Sequence, residues 1–521
     1  MSSRATLNDW CGRALPFAVF VLALTTGLSA GLTPRVAHST SIHLTSSAPW
    51  RAYADPLADA TGSPLLPAVF DALTTIEADG TVTPALAESW RIESGTVWTF
   101  KLRPNIFFSD GAPLDADAVV DCLSMLIGQD GQAYAPYFYT SEISGVRALS
   151  DDEIEITTYQ NDARLDRKLS SVSIFSASAL ERLGRTEFSK HPIGTGPFAP
   201  ESWSRDGTRV VLKNVPTSWR VSRQVERVEI SVVPDSTARL QSILSGGTDI
   251  STNLDPDLIP TIEDAGLNVS VRPGPTILSI ALRTTAGAAQ PLLDRRVRVA
   301  LNMAVDRDSI SQHLLQGTME PATQLATPET LGYDPSITPY PFDPDQAKKL
   351  LAEAGYPNGF ELAGTVMTGQ FPADALIFQQ VVQNLDSIGV RVVLGTLPVI
   401  EFIRRRTANT WGEIDVFSTL LSHYRLGDIS GAAELISCRD SRSTFCDPTT
   451  DDLLQRSHQE MNPAAREQLL KTVNARFHHS APLLLISRYS AIDALSKRIA
   501  KFPPFPMGKM RFEQFEVVDR P

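Results

Sequence analysis

The stretches whose residue types could do covalent or metal chemistry lack the spacing that such chemistry needs. Gly27-Leu28-Ser29-Ala30-Gly31 matches the G-x-S-x-G elbow that exposes a nucleophilic serine, but it lies inside an N-terminal apolar run, not between a strand and a helix. His191 to Phe198, HPIGTGPF, looks like a glycine loop for phosphate; Pro197 removes an N–H and no Lys-Ser/Thr follows, so it reads as a turn. His478 and His479 are adjacent, which points their rings apart on any regular element; surface or capping roles suit them better than zinc. HExxH, CxxC and P-loop patterns are absent from the sequence. The expectation is a protein that is not an enzyme, with no catalytic residues, no metal site and no cofactor.

The cysteines carry more information. Cys438 and Cys446 flank an RDSRSTF loop, and an oxidising compartment would join them. Closing so short a loop contributes about 2–3 kcal/mol in the chain-entropy model. Two free thiols are the alternative. Cys122 falls among Val119, Leu123 and Leu126 at helical spacing, which makes it a core residue rather than a nucleophile. An oxidising compartment fits the N-terminus, where Arg4 and Arg13 flank the start of an apolar stretch from Ala14 to Leu32 that is broken by Pro16, Gly27 and Gly31. Residues 1–37 read as a signal peptide cleaved after Ala30 or Ala37. The rival reading is a permanent anchor, but the apolar core from Leu15 to Leu24 is shorter than the roughly 20 residues of a spanning helix.

A chain of 521 residues, 42% hydrophobic and 20% charged, has the composition of an ordinary globular protein of two or three domains. Its net charge of −12 argues against nucleic acid or an anionic membrane as the main partner.

Several elements are legible. Trp98, Phe100 and Leu102 alternate with Thr99, Lys101 and Arg103, a half-buried strand; Ser109-Asp110-Gly111 turns the chain, and Asp115 caps a helix. Further strands are expected at 40–45, 154–157, 209–213 and 227–233, and a helix over 235–246. A crossover strand follows at 274–282. Asp294, Asp343 and Asp374 each open a helix, the second with Pro344 at its first position and Gly355 at its end. Gly389 releases the third into a strand at 390–394, and 482–489 reads as a buried strand. Helix–Gly–strand repeats indicate an α/β lobe.

Pro84, Leu86-Ala87, Ser89-Trp90, Phe100, Leu102-Arg103, Phe108, Asp110-Gly111, Pro113, Ala116 and Val119 form one ordered set. With the GTGP element at 194–197 and LLDRRVRVALNMAVDRDSI at 292–310, they resemble the extracellular solute-binding proteins of ABC transporters, in the peptide, dipeptide and nickel-binding family. The resemblance implies an α/β fold of the periplasmic-binding-protein type II: two α/β lobes joined by crossover hinge strands, with an extra lobe inserted in the first. Carried onto this chain, residues 38–67, 191–273 and 480–521 build the first lobe, 68–190 the extra lobe and 274–479 the second lobe. The implied function is the periplasmic substrate-binding component of an ABC importer. Such a protein captures peptides or related small solutes between its lobes and delivers them, as a monomer, to permease subunits in the inner membrane. Opine-like compounds, nickel or other metal complexes, and a sensor or chaperone role on the same scaffold are the alternatives; a secreted hydrolase is less favoured.

In peptide-binding members an acidic residue in a Gly-Asp-rich loop, shortly before the second-lobe cysteine, meets the ligand's α-amino group. The matching stretch here is HYRLGDISGAAELISC, which offers Asp428, with Tyr424 and His423 beside it. Read from residues alone, Gly427-Asp428-Ile429-Ser430 is equally a helix N-cap, and Tyr424 and His423 either touch ligand or pack. Dipeptide-binding members also place an arginine just ahead of the helix that starts here near Asp374. Residues 368–375, TGQFPADA, have neither Arg nor Lys. That departure favours longer or modified peptides or opine-like compounds over a simple dipeptide. Arg404-Arg405-Arg406 lie on the next helix, where three consecutive side chains cannot all face one cleft.

Overall fold

Ile42 and Leu44 point into the core from β1 (Ser41–Ser46), the period-2 pattern of a strand. In this computed structural model the described residues are 40–47, 54–58, 65–367, 371–505 and 508–518. The leader 1–37, with Ala30 and Ala37, lies outside them.

A hairpin, β2 (Thr74–Ile76) and β3 (Val82–Pro84), leads into an antiparallel sheet of β4 (Ala87–Ser94), β5 (Val97–Leu102), β6 (Ile143–Ser150) and β7 (Glu153–Thr158). Its order is β4-β5-β7-β6. Trp98, Phe100 and Leu102 of β5 are buried, as their alternation predicts. The helix Ala116–Ile127 packs on β6, and Asp115 caps it by accepting from the Ala118 N–H at 2.9 Å. Cys122 lies on the buried face of this helix, and burial pushes its thiol up to about 12, so it is no nucleophile.

β8 (Phe198–Trp203), β9 (Arg209–Asn214), β10 (Arg227–Val232) and β11 (Ile250–Ser251) return to β1, which lies parallel between β10 and β11. The chain then runs through β12 (Asn268–Leu282), β13 (Phe360–Val366), β14 (Val390–Thr396), β15 (Val416–Ser422) and β16 (Leu483–Leu495). One sheet results, ordered β14-β13-β15-β12-β16-β11-β1-β10-β9-β8. Its two halves meet at β12 and β16, which pair antiparallel along most of their length.

Both crossover strands are longer than the sequence suggests. β12 begins at Asn268, where Val269 and Val271 alternate with polar residues in a half-exposed stretch, and β16 continues to Leu495. Within β12 the register breaks between Pro273 and Ile277. Pro273 and Pro275 have no N–H to give the ladder, so the pairing cannot run through them. Beyond the break, alternate residues part company. Leu278, Ile280 and Leu282 join one core cluster, while Ile277 and Ala281 join another on the opposite face.

Asp235, Asp294 and Asp343 cap their helices by accepting from Ala238, Arg296 and Gln346 N–H groups. Asp374 is instead the first residue of its helix, preceded by Ala373 at φ 59°. Cys438 and Cys446 are joined as a disulfide, and Cys122 is free. His478 and His479 end the helix Pro463–Ser480, where His478 stacks on Tyr340 with ring centroids 4.4 Å apart and His479 meets Arg295. Among the described residues no group of three or more His, Cys, Asp or Glu could hold a metal ion.

Candidate ligand-binding site

The loop after β15 carries His423, Tyr424 and Asp428, and the structure gives each a different setting. Asp428 is fully buried. Its Oδ1 accepts from the Ser430 N–H at 3.0 Å and the Ser430 hydroxyl at 2.5 Å, and its Oδ2 pairs with Arg466. The carboxylate thus closes a turn at the start of the short helix Ser430–Glu434 and neutralises a buried guanidinium. Burial opposes its ionised form, but Arg466 and Arg167 with the Ser430 hydroxyl outweigh that and hold it well below the usual carboxylate range. Both oxygens are engaged inside the protein.

His423 is buried with Nε2 2.8 Å from the Leu325 carbonyl and Nδ1 3.1 Å from the Asp428 carbonyl. Burial lowers its pKa despite those two acceptors. Its ring ties the loop to the segment around Leu325. Tyr424 is half-buried and lies against two glycines of other segments. A methyl group on Gly274 would lie 2.5 Å from its hydroxyl oxygen, and one on Gly508 would lie 3.0 Å from its ring. Tyr424 therefore stands where the loop after β15, the break in β12 and the C-terminal segment converge.

Groups that the sequence did not single out complete this junction. Arg488 of β16 reaches both Glu329 oxygens, at 2.8 and 2.9 Å, and donates from Nε to the Gly274 carbonyl at 3.1 Å. Tyr489 beside it donates to Asn253 Oδ1 at 3.0 Å and meets Phe371 edge-on, with centroids 6.0 Å apart. Arg272 pairs with Asp493 and lies over the Phe505 ring at 4.3 Å. From the side of residues 68–190, Ser171 donates to the Arg425 carbonyl at 3.0 Å, and Arg167 donates to the Gly80 and Leu426 carbonyls at 3.1 and 2.9 Å. The available signals were Arg488 and Asp493, two charges inside the apolar run LLLISRYSAIDAL.

Lys509 follows Gly508. Its ammonium donates to the Ser170 carbonyl at 2.7 Å and has no carboxylate partner among the described residues. Burial, aided by Arg511, pushes its pKa down to about 8. A cavity of ≈ 200 Å³ opens beside it, lined also by Ser170, Ser171, Trp219 and Glu77. Arg404 and Arg405 are spoken for elsewhere, since both donate to Glu401 at 2.8 Å.

Comparison with known proteins shows the family and the fold. The family model "Bacterial extracellular solute-binding proteins, family 5 Middle" matches residues 81–426. The dipeptide-binding protein of Escherichia coli K12 is 26% identical over 472 residues, which is 84% of this chain and 86% of that protein. Heme-binding protein A of Haemophilus influenzae is 28% identical over 475 residues, 82% of each chain. Among solved structures, HbpA2 from Haemophilus parasuis is 26% identical with a TM-score of 0.78, covering 92% of this chain and 100% of that one. The periplasmic binding protein DppA from Helicobacter pylori, in complex with the peptide STSA, has a TM-score of 0.77 at 20% identity, covering 92% and 98%. With its crossover strands, inserted sheet and match over residues 81–426, the chain belongs to family 5 of the bacterial extracellular solute-binding proteins, of type II periplasmic-binding-protein fold.

Proposed function

We propose that this protein is the solute-capturing component of an ABC importer. It takes up a peptide or a related small solute at the junction around Tyr424, Gly274 and Lys509, and delivers it to a membrane permease without covalent chemistry. The observation that carries the reading is the convergence of three segments on Tyr424 at a break in the crossover strand. Relatives named dipeptide-binding and di/tripeptide-binding support the ligand class. In this reading residues 38–67, 191–273 and 480–521 form the first lobe, 68–190 the extra lobe and 274–479 the second. Closure of these lobes over solute is the working motion. The leader directs a monomeric chain to the periplasm.

Of the three loop residues, Tyr424 touches solute, while Asp428 and His423 brace the loop that presents it. Lys509 supplies the positive charge that residues 368–375 lack, and meets a ligand carboxylate. The test is native mass spectrometry of mature protein purified without refolding, followed by calorimetric titration with di-, tri- and tetrapeptides, octopine and nickel–histidine complexes. Retained or titrated peptide at micromolar affinity, about −8 kcal/mol, supports the reading. Binding of octopine or the nickel complex alone would replace the ligand class, and binding of none of them would remove the transport assignment.

A further inference from the structure

A second cavity, ≈ 480 Å³, lies between residues 142–164 and residues 434–458. Its walls are fastened at the rim, where the Ala163 N–H donates to the His458 carbonyl at 2.8 Å and Gln459 donates to Gln160 at 2.9 Å. Most of its charges cancel in place. Arg164 bridges Asp162 at 3.2 Å and Glu434 at 2.8 Å, Lys168 holds Asp162 at 2.5 Å from behind, and Arg442 pairs with Asp440 at 2.7 Å.

Three groups are left over, and they differ in sign. Arg439 commits only its Nε, to Asp451 at 3.0 Å, leaving the outer edge of its guanidinium open. Glu142 lines the cavity and acts on the Lys168 ammonium only through its field, Lys168 being bonded to Asp162 instead. His458 is the telling one: its side chain is only 9% exposed, yet Nε2 has no hydrogen-bond partner, with Glu434 Oε1 3.5 Å away. Burial holds this imidazole neutral by lowering its pKa well below the ordinary value. A buried ring nitrogen without a partner is costly unless something else completes it.

We propose that this cavity is a second ligand site, for a small zwitterion of the amino-acid class whose carboxylate meets Arg439 and whose ammonium meets Glu142, with His458 Nε2 and the Asn161 and Gln455 amides completing its hydrogen bonds. A simple anion would leave Glu142 opposed, and a metal ion finds no cluster of ligands there. The ligand touches both walls, so it binds best where they meet. If the lobes close as the proposed function requires, its occupancy and solute capture favour one another.

The test is hydrogen exchange read by mass spectrometry on the full mature chain, with millimolar L-glutamine as the probe. Slowed exchange is expected in segments 142–164 and 434–458, and Arg439→Gln or Glu142→Gln should each weaken the apparent affinity about tenfold or more, as loss of a charge-assisted contact does. The melting temperature of Glu142→Gln should match the parent, and that of Arg439→Gln should fall because Asp451 loses its partner. No slowing in those segments, or slowing that both variants keep, overturns the site. Slowing confined to 272–276 and 508–509 also overturns it, since glutamine would then be entering the main junction; that result would leave the importer reading standing.

Discussion

Replacing Asp428 by asparagine separates a carboxylate that holds the fold from one that holds a ligand. Its side chain is 0% exposed and that of Arg466 is 5% exposed. Asparagine keeps an acceptor for Ser430 but leaves the Arg466 charge buried, with the Ser457 carbonyl at 3.1 Å as its remaining partner. Breaking a buried pair by removing one member costs about 3–5 kcal/mol. If residues 274–479 unfold as a unit, that is a fall in Tm of about 6–20 °C, at about 2–4 °C per kcal/mol for a unit of this size. Asp428→Ala, which also loses the turn, should cost about 1 kcal/mol more. Calorimetry on ligand-free protein reads both. Adding Arg466→Met to Asp428→Asn should give a double variant less destabilised than the sum of the singles, by about 1–3 kcal/mol. The pH dependence has a fixed sign. The folded pKa of Asp428 is depressed, so its contribution is full above about pH 4 and is lost as pH falls through the folded value; Asp428→Asn should remove that part of the acid limb. An Asp428→Asn variant that melts with the parent but no longer binds solute would refute the reasoning and return the carboxylate to the ligand.

Gly274→Ala should destabilise by about 1–3 kcal/mol through its clash with the Tyr424 hydroxyl, and Tyr424→Phe in the same chain should recover most of that loss in a melting assay. Lys509→Met should weaken binding of carboxylate-bearing solutes by about 1.5–3 kcal/mol in calorimetric titration, with Tm unchanged or raised, because a lysine without a carboxylate partner is no longer being buried. Replacing Cys438 and Cys446 together by serine should cost about 2–3 kcal/mol, and reductant should lower the parent's Tm to match. The folded pKa of His458 is depressed, so its contribution is present above the unfolded value of about 6.5 and is lost as pH falls through the folded one; His458→Gln should flatten Tm against pH between about pH 7 and 5.

What the sequence discloses here is local. Asp115, Asp294 and Asp343 are readable as caps because the bond each makes reaches a backbone N–H two or three residues on. β5 is readable because one face of it is buried. β4 is not: most of AESWRIES is exposed, so no alternation marks it. Asp428 shows the limit at the site itself. A cap and a ligand carboxylate leave the same local pattern, and the residue that distinguishes them, Arg466, lies 38 positions away on another helix. Lys509 and Ser170 are 339 positions apart, and Arg488 and Glu329 are 159 apart. Such contacts exist only once the chain has folded, so no spacing in the sequence records them.

The position of the junction follows from a local break in the longest strand pairing of the large sheet. Its two halves touch through β12 and β16, and Pro273 and Pro275 remove two donors from that pairing where the register shifts. The Gly274 carbonyl left between them takes its hydrogen bond from the Arg488 side chain instead of from a neighbouring strand. Bending the sheet there breaks few backbone bonds, and the cost falls on side chains that can re-pair. Tyr424 packs on that same glycine, and Gly508 packs on Tyr424 from the far side. A solute seated against Tyr424 and Lys509 would therefore press on the segment whose angle sets the distance between the halves. On this geometry binding and bending share one group of atoms, and a substitution that stiffens Gly274 should change solute affinity without touching the solute.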